Sequence, residues 1–261
     1  MYHFSLKPFA LLFLALITSL SWAKAPKREF YQIKIYRINS SEQGDRVEKY
    51  LKDAYIPAMH RIGIKNIGVF KPVTSDSLSG KQIYVLTPFK SLDQLAQLPS
   101  TLEKDKQYLS AGKDYLDAAY NNAPYQRIET TILRAFEGHP FISKPALSGS
   151  KAERIYELRS YESATEKLHL NKVRMFNDGN EVGIFDRLGF NAVFYGEVVS
   201  GGTMPNLMYM TTFDNKASRD AHWKAFTDDA EWAKVKVIPE FQHNVSKNIQ
   251  KFLFPTEYSD I

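Results

Sequence analysis

The chain has 261 residues, 44% of them hydrophobic and 24% charged, with a formal net charge of +5; this is an ordinary globular composition, long enough for a sizeable core in one large or two small domains. Its lysines are scattered among acids rather than gathered in a dense run, so the charge reads as a solvated surface and argues against a nucleic-acid partner. The absence of cysteine excludes disulfides, thiolate nucleophiles, cysteine-bound metals and cysteine-linked lipids.

The N-terminus carries the pattern of a secretory signal: Lys7, a short apolar core over Phe9–Leu20, and the small-residue end Ser21-Trp22-Ala23. Cleavage is expected after Ala23. The apolar run is shorter than the ~20 residues that span a bilayer, so no membrane association is expected after cleavage. A cysteine-free exported chain fits the periplasm or the outside of a bacterium. The remainder divides into 24–137, a linker over 138–150 rich in Gly, Pro and Ser, and 151–261.

In chain order, Phe30–Ile38 alternates Tyr31, Ile33 and Ile35 with Gln32, Lys34 and Tyr36, which predicts a half-buried strand. Asn39–Gly44 reads as a turn. Asp45–Ile62 carries a helical stripe through Val47, Leu51, Ala54 and Ala58, with Pro57 expected to kink or break it near its end. Ile64–Val73 and Lys81–Pro88 read as strands around the loop Thr74–Gly80. Ser91–Tyr120 is helical in pattern, divided by Pro99, with Ser100 as the cap of the second piece. Tyr125–Phe136 is the closing strand.

The second half repeats this order. Arg154–Tyr161 is a strand, and Thr165–Leu188 is helical with a break expected near Gly179 or Gly183. Phe190–Val199 and Leu207–Phe213 are strands joined by the turn Ser200–Asn206. Two helices follow, the first capped by Asp214 or Asn215 and the second by Asp228 or Asp229. Asn244–Leu253 is the last strand. Tyr31 and Tyr156, Tyr36 and Tyr161, and Tyr84 and Tyr209 each stand 125 positions apart, which argues for a duplicated unit. Each half therefore reads βαββαβ with an added helical segment, the ferredoxin-like order.

Two segments carry a family resemblance. The strand RIYELRSY holds Glu157, Leu158, Arg159 and Tyr161; the helical stretch RDAHWKAFTDDAEW holds Arg219, Trp223, Asp229 and Trp232. Together they resemble the NIPSNAP family, whose domain begins with a Glu-Leu-Arg-x-Tyr strand and later carries a comparable Arg and Trp pattern. This chain has Asp229-Ala230 where the family usually has Asp-Pro. The resemblance covers Arg154–Pro255 best and Phe30–Phe136 more weakly. It implies an α+β fold of antiparallel sheets, the dimeric α/β barrel, here as two tandem domains that could close one barrel within the chain. It implies little defined chemistry, although relatives sharing the fold include cofactor-independent monooxygenases and haem-degrading enzymes.

The candidate ligand-binding residues are Glu157, Arg159, Tyr161, Asn191, Tyr209, His222 and Trp223. Glu157, Arg159 and Tyr161 share one strand face and are expected to point into the sheet-to-sheet space, with Tyr156, Leu158 and Ser160 packed on the helices. An Arg and a Glu two apart either pair with each other or present charge to a polar ligand. His222 suits proton transfer near neutrality, with Trp223 as an apolar wall beside it; the same pair also suits a surface histidine next to a core tryptophan. Asn191 on the following strand, and Arg187 just before it, are within reach of the same place. No residue is nominated as catalytic. No metal or cofactor is expected: the six histidines lack a close pair, and His-Glu-x-x-His, Gly-x-Ser-x-Gly, P-loop and Gly-x-Gly-x-x-Gly patterns are missing. The partners expected are a small molecule or a protein partner bound through the barrel and, if the halves do not satisfy each other, a second copy of the chain.

Overall fold

The computed structural model describes residues 27–261; the expected signal peptide and its cleavage point lie outside that range. The first half runs β1 (Phe30–Arg37), α1 (Ser41–Tyr50), a π-helical turn (Leu51–Tyr55), α2 (Ile56–Arg61), β2 (Gly68–Pro72), β3 (Gln82–Phe89), α3 (Leu92–Leu102), α4 (Lys106–Ala111), α5 (Lys113–Leu116) and β4 (Arg127–Ala135). The second runs β5 (Ile155–Glu162), α6 (Glu166–Asn177), α7 (Glu181–Arg187), β6 (Phe194–Ser200), β7 (Asn206–Phe213), α8 (Lys216–Thr227), α9 (Ala230–Val235) and β8 (Lys247–Pro255). Among the described residues no helix is long and apolar enough to cross a membrane.

The helices that open each crossover start in one way. Ser40, Ser91, Thr165 and Asn215 each accept a hydrogen bond from the backbone N–H three residues on, satisfying a donor that the first turn would otherwise leave unpaired. The segment Asn39–Gly44 is thus a helix start rather than a turn. Pro57 does not break its helix. The turn before it is widened to π geometry, with the Ile56 N–H bonding to the Leu51 carbonyl, which relieves the clash a proline ring makes in a regular α-turn. Pro99 also stays inside α3, held where Leu98 and Leu102 are both buried. The break comes later, and Asp105, not Ser100, caps the next helix. The second half breaks at Gly179, as expected, while Gly183 lies inside α7.

The eight strands close into one antiparallel barrel in the order β1-β3-β2-β8-β5-β7-β6-β4. Within each half the first strand pairs with the third and fourth, and the second with the third. Two seams join the halves. At one, β2 meets β8 over Phe70–Pro72 and Leu253–Pro255. At the other, β4 meets β6, reinforced by Arg134 and Glu197 at 2.6 Å.

Along β3, β5 and β7 both faces of the sheet are buried, each against a different partner, while β4 and β8 are partly exposed over their first halves. The lumen is filled by Tyr31, Ile33, Phe70, Tyr84 and Leu86 from one half and Tyr156, Leu158, Phe194, Met210 and Leu253 from the other. Two aromatic pairs cross it: Tyr31 against Phe194 at 5.2 Å and Tyr156 against Phe70 at 5.0 Å. Each half thus supplies one tyrosine to the other's phenylalanine, and such pairs contribute about 0.5–1.5 kcal/mol beyond area burial. The helices cover the outer faces in two separate cores, one around Tyr36, Tyr50 and Met59, the other around Phe176, Phe185 and Tyr209.

This corrects two expectations. Tyr156, Leu158 and Ser160 face the lumen, and Glu157, Arg159 and Tyr161 face the helices, the reverse of the assignment made from polarity. The third tyrosine correspondence also fails. Tyr84 lies opposite Ile35 and faces the lumen, whereas Tyr209 lies opposite Arg159 and faces the helices. The other two hold: Tyr31 and Tyr156 share the lumen, and Tyr36 and Tyr161 both lie under helices.

The stretch 138–150 has no helix or strand, but it is no loose tether. Ile142 and Leu147 pack into the lumen core together with Ile261, at the end where β1 begins and β8 finishes. The Ser148 and Gly149 N–H groups donate to Asp214 at 2.9 and 2.7 Å. One mouth of the barrel is therefore stoppered by chain that joins the halves.

A buried carboxylate cluster under helix α8

Glu157 sits mid-strand on β5 with its side chain wholly buried. A lone carboxylate there would be strongly disfavoured, and the sequence supplies its partners on α8. Arg219 and Trp223 are one helical turn apart, so both side chains descend on the same spot. The Arg219 guanidinium donates twice, Nε to Oε2 at 2.7 Å and Nη2 to Oε1 at 2.9 Å. The Trp223 indole donates to Oε2 at 2.8 Å. From the neighbouring strand β8, Gln250 donates to Oε1. Arg159 adds an ion pair, its Nε 3.0 Å from Oε1 but not aligned as a hydrogen bond. Burial pushes the Glu157 carboxyl up; the Arg219 hydrogen bonds, the Arg159 charge and Gln250 outweigh it and hold the group below its ordinary value.

Arg159 links this carboxylate to two phenols. Its Nη1 donates to the Tyr161 hydroxyl at 2.9 Å and lies 3.4 Å from that of Tyr209, and the two hydroxyls are 2.8 Å apart. Its guanidinium carbon stacks 4.1 Å from the Trp223 ring centre, a favourable cation–π geometry. Burial raises both phenol pKa values, so both hydroxyls stay protonated and able to donate. A second buried pair lies beneath: Lys172 on α6 donates to Glu181 on α7 at 2.8 Å, its ammonium 4.6 Å from the Phe176 ring and 5.4 Å from that of Tyr161.

Of the candidate residues, Glu157, Arg159, Tyr161, Tyr209 and Trp223 thus come together. His222 and Asn191 do not join them. His222 Nδ1 lies 2.6 Å from the Ser218 carbonyl, one turn back on α8. A carbonyl only accepts, so that nitrogen carries the proton, and the ring packs against Phe213 and Phe190. Asn191 precedes β6 rather than lying on it. It adopts a left-handed backbone (φ 45°), donates from its side chain to the Gly189 carbonyl at 3.1 Å, and accepts from Thr212 through its own carbonyl at 2.7 Å. Arg187 ties α7 to the start of α9 through Asp229 at 3.0 Å and Glu231 at 3.2 Å.

Arg219 and Gln250 are members that the choice of site residues missed. The signal for Arg219 was present: an Arg and a Trp four apart on one helix must reach the same neighbour. Gln250 had no signal, since only the pairing of β8 with β5 brings it opposite Arg159. In the first half, the positions matching Glu157 and Arg159 are Gln32 and Lys34. Lys34 makes no ion pair among the described residues. Burial lowers its pKa, and its ammonium lies 5.6 Å from the Tyr55 ring. The cluster therefore belongs to the second half alone. Among the described residues, no three acidic or histidine side chains gather as metal ligands.

The fold defines a class: an α+β protein whose antiparallel sheet closes into a barrel, similar in fold alone to solved proteins of low sequence identity. A proposed monooxygenase from Lactobacillus acidophilus NCFM superposes with a TM-score of 0.54 at 11% identity, covering 87% of this chain and 94% of its own. One from Fusobacterium nucleatum gives 0.55 at 8% identity, covering 88% and 93%. Residues 156–260 match the NIPSNAP family model, so the chain carries a NIPSNAP domain. A NIPSNAP family protein from Agrobacterium tumefaciens aligns at 19% identity over 41% of this chain and 97% of its own, with a TM-score of 0.36. No curated protein matches the chain in sequence.

Proposed function

We propose that the chain is an exported protein that binds a small molecule without transforming it, built from two ferredoxin-like halves of which the second is the NIPSNAP domain. The observation that carries this reading is the state of Glu157. Both its oxygens are occupied by fixed donors, and its pKa is held down. A general base needs a free lone pair and a pKa near the working pH, and Glu157 offers neither. His222, the other candidate for proton transfer, packs its ring against Phe213 and Phe190 and makes no bond to the cluster. The cluster serves to lock α8 onto the sheet. Closure of the barrel within one chain leaves no sheet edge waiting for a second copy, which supports a monomer.

The test is native mass spectrometry of gently purified protein, exported through its own signal. A retained mass that is lost on denaturation, with no turnover, is the expected result; a clean apo mass would sink the binding reading. The second reading is a cofactor-independent oxygenase or a haem-binding enzyme. What favours it is fold likeness to the proposed monooxygenases and to an anthrone oxidase-like protein, which superposes with a TM-score of 0.51. Fold alone is weak ground for activity. Oxygen uptake with electron-rich phenols, or a Soret shift on haem titration, would establish that reading instead.

A further inference from the structure

We infer that the unstoppered mouth of the barrel is a binding site for a compact, uncharged, hydroxylated aromatic molecule. The inference rests on the binding reading above and gives it a location. The mouth opposite Ile142, Leu147 and Ile261 encloses about 320 Å³, at the lower end of small-ligand pockets and room for about ten waters. Its walls come from both halves, with Ile35, Tyr84, Leu158 and Met208 as the apolar part. Leu78, from the loop between β2 and β3, and Gly202 and Thr203, from the loop between β6 and β7, complete it.

The polar lining selects the ligand. Asn206 is 2% exposed and lines the cavity. Its Nδ2 donates to Ser160 Oγ at 2.9 Å, and its Oδ1 has no partner in the protein. Turning the carboxamide over would exchange its two ends and still leave one unpaired. Such an atom carries a desolvation penalty, removed by any ligand group that bonds to it. A hydroxyl both donates and accepts, so it fits either orientation of the amide.

Charge is already matched at this mouth. Arg37 pairs with Glu129 at 2.5 Å and Lys251 with Asp76 at 3.3 Å, so an ionised ligand would lose its hydration and gain no free counter-charge. The Tyr84 ring and the Met208 thioether are suited to an aromatic body.

The test titrates 2-naphthol, followed by its own fluorescence, into the full chain and into Asn206→Leu and Met208→Trp. Met208 lies directly across from Ser160 in the strand pairing, so the larger ring fills the mouth. Saturable binding to the parent is expected, at least tenfold weaker in both variants while each still unfolds cooperatively. Naphthalene-2-carboxylate should bind at least tenfold more weakly than 2-naphthol. If Asn206→Leu does not fold, Met208→Trp carries the test alone. Undiminished binding to Met208→Trp, or no binding to the parent, would overturn the site; equal binding of the carboxylate would overturn the uncharged class. Should native mass spectrometry show a retained molecule that Met208→Trp does not release, the binding reading stands and this location falls.

Discussion

Replacing Glu157 by glutamine would keep the side chain's shape and withdraw its charge from Arg159, Arg219 and Trp223. Removing one partner of a buried, hydrogen-bonded charge network costs roughly 3–5 kcal/mol, and glutamine keeps one acceptor, so a loss of about 3 kcal/mol is expected in urea unfolding at neutral pH. The pH dependence has a definite sign. The folded pKa of Glu157 is depressed, so its contribution is fully present above the unfolded value of about 4.3. It fades as pH falls through the lower folded value. The gap between parent and Glu157→Gln should therefore shrink from pH 7 towards pH 2. A gap that held constant over that range would mean the carboxylate is not what α8 is fastened to.

At the scale of elements, strand alternation told which residues share a face but not which face meets the helices. Glu157, Arg159 and Tyr161 stand together as alternation requires. The rule that polar residues point away from the apolar side works where one face is wet. Here both faces are buried, so the tie is broken by partners remote in sequence: Arg219 and Trp223 wait on the helix side, and Phe70 waits for Tyr156 in the lumen. Helix starts were more legible, because a cap is local. Asn215 and Asp229 stood among the expected caps and act as such. Asp214, the other cap considered for α8, instead holds the connecting segment through Ser148 and Gly149. Asp214→Ala should loosen that segment without unfolding the barrel. Faster hydrogen exchange at Ser148 and Gly149, against unchanged exchange in β5 and β7, is the expected outcome. Uniformly faster exchange would show instead that the stopper and the barrel open as one unit.

At the scale of the whole molecule, the lumen makes each half depend on the other. Residues 151–261 alone would present Tyr156, Leu158, Phe194, Met210 and Leu253 to water, a contiguous apolar face of the sort that drives association. The isolated piece should self-associate in light scattering, and equimolar addition of residues 24–137 should convert it to a one-to-one complex. A stable, monodisperse monomer of either piece would show that the lumen is not the shared core.

The covalent join across the stoppered end has a consequence of another kind. When a barrel is closed by two separate chains, its integrity falls with dilution. When the halves are tethered, closure is unimolecular and governed by effective concentration. Freedom from dilution also brings freedom from symmetry. In a barrel of two identical chains every side chain appears twice, so an uncompensated feature is doubled. In this chain the Glu157 network occurs once, Lys34 stands in the matching place with no acid paired to it among the described residues, and the buried, unpaired carboxamide oxygen of Asn206 lies at a single mouth. A tethered pair can keep one half as a rigid frame while the other drifts, and can shape a lumen that no twofold axis requires to be the same at both ends.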